Sequence, residues 1–437
     1  EGQVEIIGWL YQYYNTVPKD IAFKKRKYLT SDIPAVTQLF TPSWIVKYLV
    51  ENSLGRYWID ILHTRGDSRS DQEIATEFDW KYYMPEAPEN LGYTNAVNKE
   101  VQEIKFLDPA MGSGHILVYA YEVFMQIYES EGYTKREASS LILNNNLVGL
   151  DIDTRAYQLS YFTLQMMGRK FDRRFFNREH ELQLADVPQS NHVAEDFEYL
   201  ITTANVANSD KALKDIDALL ELFNQGNDLG SIVKIPSGID FEQLEQIANV
   251  NFENGEVSFE QLNAEELKSV LQEIIKSAKM LAQKYDIAVS NPPYMGSGKM
   301  NDNLKKYIKK NYPNSKADLF AVFIEKLLDT VSKDGYIGMI TQHAWMFLSS
   351  YEALRAKLQR KTIVNLAHLG TRAFEEIGGE VVQSVAFILK NEHNEDYIGT
   401  YERLVDYGSQ DAKEEKYLEI LATPTSKDLY RTNQANF

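Results

Sequence analysis

Residues 285–294 read Tyr285-Asp286-Ile287-Ala288-Val289-Ser290-Asn291-Pro292-Pro293-Tyr294. The apolar run Ile287 to Val289 predicts a buried strand, and it ends in an amide, two prolines and an aromatic ring. Neither proline donates a backbone hydrogen bond and both fix φ, so the strand must stop in a stiff turn. Open α/β sheets keep their ligand sites at the carboxyl ends of buried strands. Taken alone, such a turn also suits an ordinary loop. The other elements of the chain have to decide.

Upstream, Ile104-Lys105-Phe106-Leu107-Asp108-Pro109-Ala110-Met111-Gly112-Ser113-Gly114-His115-Ile116-Leu117 is a strand, an acidic turn with Gly-Ser-Gly, and the start of a helix. Glycines let a ligand approach the backbone, and a helix start offers unpaired N–H groups to an anion. Leu117 stands where G-x-G-x-x-G needs its third glycine, and no Gly-Lys-Ser/Thr follows. The segment is therefore neither the dinucleotide fingerprint nor a P-loop. Leu147 to Asp153 is a second short strand ending in carboxylates. Asp151 is the candidate for holding ribose hydroxyls, and Asp153 reads as the N-cap of the next helix. Asp186 closes a third strand.

Residues 190–280 change texture to carboxylate-rich helical runs, a helical insertion that suits a lid, a partner surface or a spacer. Beyond Tyr294 a Gly-Ser loop leads to Lys299, Lys305, Lys306, Lys309 and Lys310, a basic cluster beside the proposed site that predicts phosphate contacts. An amphipathic helix over 317–331 and strands at 335–340, 363–366 and 381–389 complete the pattern. From about residue 400 the sequence turns polar and irregular, as at a domain exit.

Before the first strand, Trp9, Tyr11, Tyr13 and Tyr14 predict a packed helix, and Lys24-Lys25-Arg26-Lys27 is a basic run. In Gln38-Leu39-Phe40-Thr41-Pro42, Thr41 reads as an N-cap with Pro42 at the first helical position, opening a helix to Gly55. Residues 60–100 read as a loop-rich insertion. The expected division is 1–100 as an N-terminal helical segment, 101–400 as an α/β domain carrying the insertion 190–280, and 401–437 as an exit.

The chain has 437 residues, no cysteine and a net charge of −17. No apolar run is long enough to span a bilayer, and no membrane partner is expected. The missing thiols exclude disulfides, thiolate metal sites and a Cys nucleophile, and fit a cytoplasmic location. No metal site is expected. The acidic balance argues against a protein coated in nucleic acid, yet allows one basic cleft. Starting at Glu1 without methionine, the chain reads as a piece of something longer.

Strand, GxG turn, acid, acid and Asn-Pro-Pro-Tyr, in that order, resemble the S-adenosylmethionine-dependent adenine-N6 DNA methyltransferases. Thr41-Pro42 ahead of the glycine turn resembles their γ-type motif order. Gln38 to Val46, with Glu51-Asn52-Ser53-Leu54-Gly55-Arg56, is similar to the PglX methyltransferases of BREX phage-defence systems. The resemblance covers residues 1–400 and implies a Rossmann-like α/β sheet with helices on both faces, double-stranded DNA as partner, and other defence-system subunits. It further implies that Thr41, Asp108, Ala110, Gly112 and Gly114 surround the methionine end of S-adenosylmethionine. Asp151 would hold its ribose, Ile152 would lie beside its adenine, and Asp186 would accept from its exocyclic amine. Asn291, Pro292, Pro293 and Tyr294 would form the catalytic loop, and Phe374 would stack on the other face of the target base. Met111 stands where the family motif often has a smaller residue, and the long gap from Asp186 to Asn291 is the larger departure.

The residue types suit that chemistry. Adenine N6 is a poor nucleophile because its lone pair is delocalised into the ring. Acceptors at Asn291 and the Pro292 carbonyl bind both N6 hydrogens and stabilise the charge that develops during direct transfer. A base inside a duplex must first be flipped out, and Tyr294 offers a stacking face. Rival readings are methylation of a protein glutamine or an RNA guanine amine, or a non-catalytic module binding cofactor or DNA.

Overall fold

The computed structural model describes residues 16–37, 39–90, 95–252, 259–374 and 382–436. One mixed sheet has strand order β3-β2-β1-β4-β5-β7-β6-β8-β9. The strands are β1 (Phe106–Asp108), β2 (Leu147–Asp151), β3 (Gln183–Asp186), β4 (Tyr285–Ser290), β5 (Val331–Gln342), β6 (Thr362–Gly370), β7 (Ser384–Lys390), β8 (Ile398–Arg403) and β9 (Leu429–Asn433). From β3 to β5 the pairing is parallel, and β7 runs antiparallel between β5 and β6. Chain progression reverses direction between β1 and β4, so a crevice opens outside their carboxyl ends. That crevice lies between Asp108 and Asn291.

Both faces of the sheet are covered, as expected. Alternation along the strands sends Leu107, Val148 and Ala288 to one core and Phe106, Leu147, Ile287 and Val289 to the other. The first core is closed by the helical insertion, the helix Leu319–Thr330 and the N-terminal segment from Ala22 to Val36. The second is closed by the helices Ser43–Val50, Arg56–Thr64 and His115–Ser130.

Several expectations need correction. Thr41 does not cap a helix: Pro42 (ψ 141°) is the N-cap residue, and helix begins at Ser43. The helix does not stop at Gly55, but passes through a π-turn, Glu51–Gly55, and continues to Thr64. Residues 80–86 are irregular yet tied down, because that turn aims polar side chains at their backbone. Glu51 accepts from Tyr82 N at 2.6 Å, Asn52 accepts from Met84 N at 2.8 Å and donates to Tyr82 O at 2.7 Å, and Arg56 donates to Met84 O at 2.5 Å. Beyond residue 400 the chain does not exit: β8 and β9 extend the same sheet, with the helix Gln410–Ala422 between them. The aromatics Trp9 to Tyr14 lie outside the described residues.

Gly149 on β2 marks the tightest contact under the glycine turn. A Cβ there would lie 2.5 Å from Met111 Sδ and 2.8 Å from both Leu117 and Leu184. The bulky Met111 is thus accommodated by a strand position with no side chain. Gly149→Ala is expected to cost ~1–3 kcal/mol by overpacking. Measured by urea denaturation, Met111→Ala in the same chain should recover part of that loss, and strict additivity of the two changes would refute the pairing.

Candidate active site

At the carboxyl end of β4, the Asn291 amide is held from the N-terminal side of the chain. Its Nδ2 donates to the Leu39 carbonyl and the Thr41 hydroxyl, both at 3.1 Å. A carbonyl only accepts, so Leu39 fixes which end of the amide faces it. Asn291 Oδ1 is consequently turned the other way, buried and without a hydrogen-bond partner. Released from capping, Thr41 serves instead to orient this side chain.

Asp108, at the end of the adjacent β1, accepts from Ser290 Oγ at 3.2 Å and from Ala110 N at 3.1 Å, while its Oδ2 has no partner. Burial pushes its carboxyl up to about 7. Asp151 accepts from Gly112 N at 2.8 Å and Asp153 N at 2.9 Å, and burial raises it to about 6 despite those bonds. Gly112 (φ +53°) and Gly114 (φ +85°) occupy backbone conformations that disfavour side chains, and a Cβ at Gly112 would meet nothing within 4 Å. The turn therefore offers open backbone and two carboxyls that lack full compensation, which suits a small polar ligand bearing positive charge.

Ala110, Gly112, Asp151, Ile152, Asn291 and Pro293 line one continuous cleft. Asp108 lies buried beneath it. Asp153 caps the helix Thr154–Phe171 as expected, accepting from Arg155 N at 3.0 Å. Asp186 stands at the end of β3 and accepts from the Thr154 hydroxyl at 2.7 Å. Tyr294 packs edge-on to Phe320, with ring centroids 6.0 Å apart, and donates to the Ile340 carbonyl at 3.2 Å, which fixes its ring plane.

Phe374 is only 5% exposed and belongs to the core on the opposite face from Tyr294. The lysines separate into two groups. Lys305, Lys306, Lys309 and Lys310 are exposed on the helix Asp302–Asn311, whereas Lys299 is engaged by the Lys25 carbonyl at 2.7 Å and the Tyr28 ring.

Three features of the site were not foreseen from sequence. The helical insertion supplies a wall of the cleft through Asp228, Leu229, Gly230 and Ser231, with the Ser231 hydroxyl bonded to the Pro109 carbonyl. The N-terminal segment supplies another through Ile33, Pro34, Thr37 and Leu39. Asp228 ties the walls together, accepting from Thr30 Oγ1 at 2.5 Å and Asn301 Nδ2 at 2.6 Å. The third is His115, 4.7 Å from Phe40 between ring centroids, with both ring nitrogens buried and unpartnered and its pKa drawn down to about 4 by burial. Its place at the first turn of a helix gave no local signal of that burial.

A family model described as Eco57I restriction-modification methylase matches residues 145–374, more than half of the chain. The chain is 51% identical over 438 residues to the adenine-specific methyltransferase PglX of Lacticaseibacillus casei (strain Zhang), covering 100% of this chain and 36% of that protein. It is 40% identical over 432 residues to the adenine-specific methyltransferase BrxX of Escherichia coli O9:H4 (strain HS), covering 94% of this chain and 35% of that protein. The chain thus spans about a third of the length of the curated relatives it matches. Among solved structures it resembles a DrdV–DNA complex with a TM-score of 0.51 at 13% identity, over 99% of this chain and 32% of that one, a likeness of fold.

Asp228→Ala removes the acceptor shared by the N-terminal segment and the 301–303 segment. With the lost Thr30 hydrogen bond worth roughly 1 kcal/mol, amide exchange in residues 28–37 should quicken by about fivefold. Exchange in β1, β2 and β4 should not change. Uniform acceleration across the sheet would instead mean that Asp228 supports the whole fold.

Proposed function

Because the chain belongs to the Eco57I restriction-modification methylase family, we propose that it transfers a methyl group from S-adenosylmethionine to N6 of an adenine flipped out of double-stranded DNA. The observation that carries this reading is the Asn291 amide, a lining residue of the cleft whose donor end is engaged by Leu39 and Thr41 and whose acceptor end is buried and unpartnered. An acceptor held in that way suits an amine hydrogen.

Ala110, Gly112, Asp151 and Ile152 would hold the methyl donor, with Asp108 beneath it; the donor supplies an activated methyl on a sulfonium. Asn291 Oδ1 and the Pro292 carbonyl would take the two N6 hydrogens. Binding both draws the lone pair out of conjugation and offsets the positive charge that grows on nitrogen as it attacks. Stacking on Tyr294 would hold the base plane, worth ~1–3 kcal/mol. The proton then leaves N6 after transfer, so no strongly basic group is required before it. His115, uncharged at neutral pH, adds no cation to the site. The similarity to PglX and BrxX supports a setting in phage defence, with DNA and other subunits of such a system as partners.

Asn291→Ala in the full-length protein is expected to lower methyl transfer to DNA by at least about a hundredfold, on the scale of losing one oriented catalytic hydrogen-bonding group. Calorimetry should find S-adenosylmethionine binding within about threefold of wild type, a difference below ~1 kcal/mol. Retained transfer would remove the clamp mechanism.

The pH dependence of donor binding is a separate check. Asp108 and Asp151 titrate above the ordinary carboxylate range, so the unliganded fold holds their protons to higher pH and loses stability as pH rises from about 4 through 7 and the buried carboxyls ionise. A cationic ligand reverses that cost. Affinity for S-adenosylmethionine should fall as pH drops from about 8 to 6, with proton release on binding near pH 7. Affinity that is flat across this range would mean neither carboxyl senses the sulfonium.

A further inference from the structure

The turn after β5 exposes two apolar side chains, Phe347 (63% exposed) and Leu348 (54%). It lies at the carboxyl edge of the sheet, leaving β5, the neighbour of β4, and reaching across to His368 on β6. Ser290 pairs with Met339, the Tyr294 hydroxyl bonds to the Ile340 carbonyl, and β5 ends two residues later at Gln342. The turn is rigid. His343 N donates to Gln383 O at 2.9 Å, Trp345 Nε1 to Thr341 Oγ1 at 3.1 Å, and Arg355 Nη1 to the carbonyls of Trp345 (2.8 Å) and Leu348 (2.7 Å). Phe347 itself stands edge-on to His343, with centroids 5.4 Å apart, and 6.1 Å from His368. The rings of Tyr294, Phe320 and Tyr351 run in contact from the catalytic loop to the residues just after Leu348.

We infer that Phe347 and Leu348 form a wedge that enters the DNA base stack as the target adenine leaves it. This rests on the methyltransferase reading above. Flipping a base out costs a few kcal/mol of stacking and pairing, and apolar side chains inserted between base steps commonly offset such losses. A wedge must be apolar, exposed before DNA arrives, and braced so that insertion displaces bases rather than the side chain. The turn meets all three conditions and follows directly on β5, the strand to which the Tyr294 hydroxyl bonds.

The test uses the full-length protein. Sequencing plasmid DNA methylated by the wild type identifies the modified site. Two synthetic duplexes are then built around it, one fully paired and one with an abasic position opposite the adenine. For the double variant Phe347→Ser/Leu348→Ser, transfer to the paired duplex should fall by about tenfold or more, and transfer to the abasic duplex, where flipping is already eased, should return to near wild type. A wild-type rate on the paired duplex would overturn the wedge. Equal loss on both duplexes would also overturn it, and would assign the two side chains to contact with another part of the polypeptide. Failure of the wild type to methylate any DNA is a different result, and would take down the underlying reading first.

Discussion

The bond from the Asn291 amide nitrogen to the Leu39 carbonyl joins residues 252 apart, and the rest of the site is arranged around it. An amide free to rotate presents donor or acceptor equally; this one presents an acceptor because its other end is engaged. Two prolines after it keep the backbone from adjusting. Holding the amide in place requires β4 to end level with the Leu39-Phe40-Thr41 segment. That level is set at the other end of β4, where Asp286 accepts from Tyr57 at 2.9 Å, Lys99 at 2.6 Å and Lys105 N at 2.8 Å. The strand is thus pinned to the second-core helices and to β1 before it reaches the cleft.

The same requirement explains the polar core under the N-terminal helices. Asn52 and Asn365 are buried and bond to each other at 3.1 Å, and Tyr48 donates to Asn365 at 2.7 Å. Burying such groups is unfavourable unless they are satisfied, so the network specifies one seating of the helix against β6. Thr41 and Pro42 lie immediately before that helix. A slip of one turn would move them about 5 Å and release Asn291. Within Glu51-Asn52-Ser53-Leu54-Gly55-Arg56, Asn52 therefore acts on the site from a distance, through position rather than contact.

How much of this was legible in the sequence follows from what is local. A strand that ends in Asn-Pro-Pro, a turn built on Gly112 and Gly114, and a carboxylate at the end of β2 each announce themselves within a few residues. So the sheet, its switch point and the position of the Asn291 turn could be read. The cap could not be placed to one residue, because Thr41 and Pro42 both suit a helix start and the choice is made by Asn291, distant in sequence. β8 and β9 were missed for different reasons: β8 carries Thr400 and Glu402 at buried positions, which breaks the apolar pattern, and β9 is a half-exposed edge strand with little alternation to read. Phe374 and Lys299 have residue types that fit a binding role, but packing decides whether a ring or an ammonium is presented, and here both are engaged within the chain.

The insertion between β3 and β4 has the least sequence signal and a large structural share. Its residues Asp228 to Ser231 reach the cleft by way of Pro109, at the turn after β1, so the side of the cleft next to the glycine turn is walled by a segment foreign to the parallel sheet. Asp228 also holds Asn301, which caps the helix bearing Lys305, Lys306, Lys309 and Lys310, and Lys27 of the N-terminal segment pairs with Asp302 on that helix. The helix whose outer face carries cations therefore has its first turn fastened to the two walls of the cleft. On a chain with a net charge of −17, those four exposed lysines lower the repulsion a polyanion meets at that face.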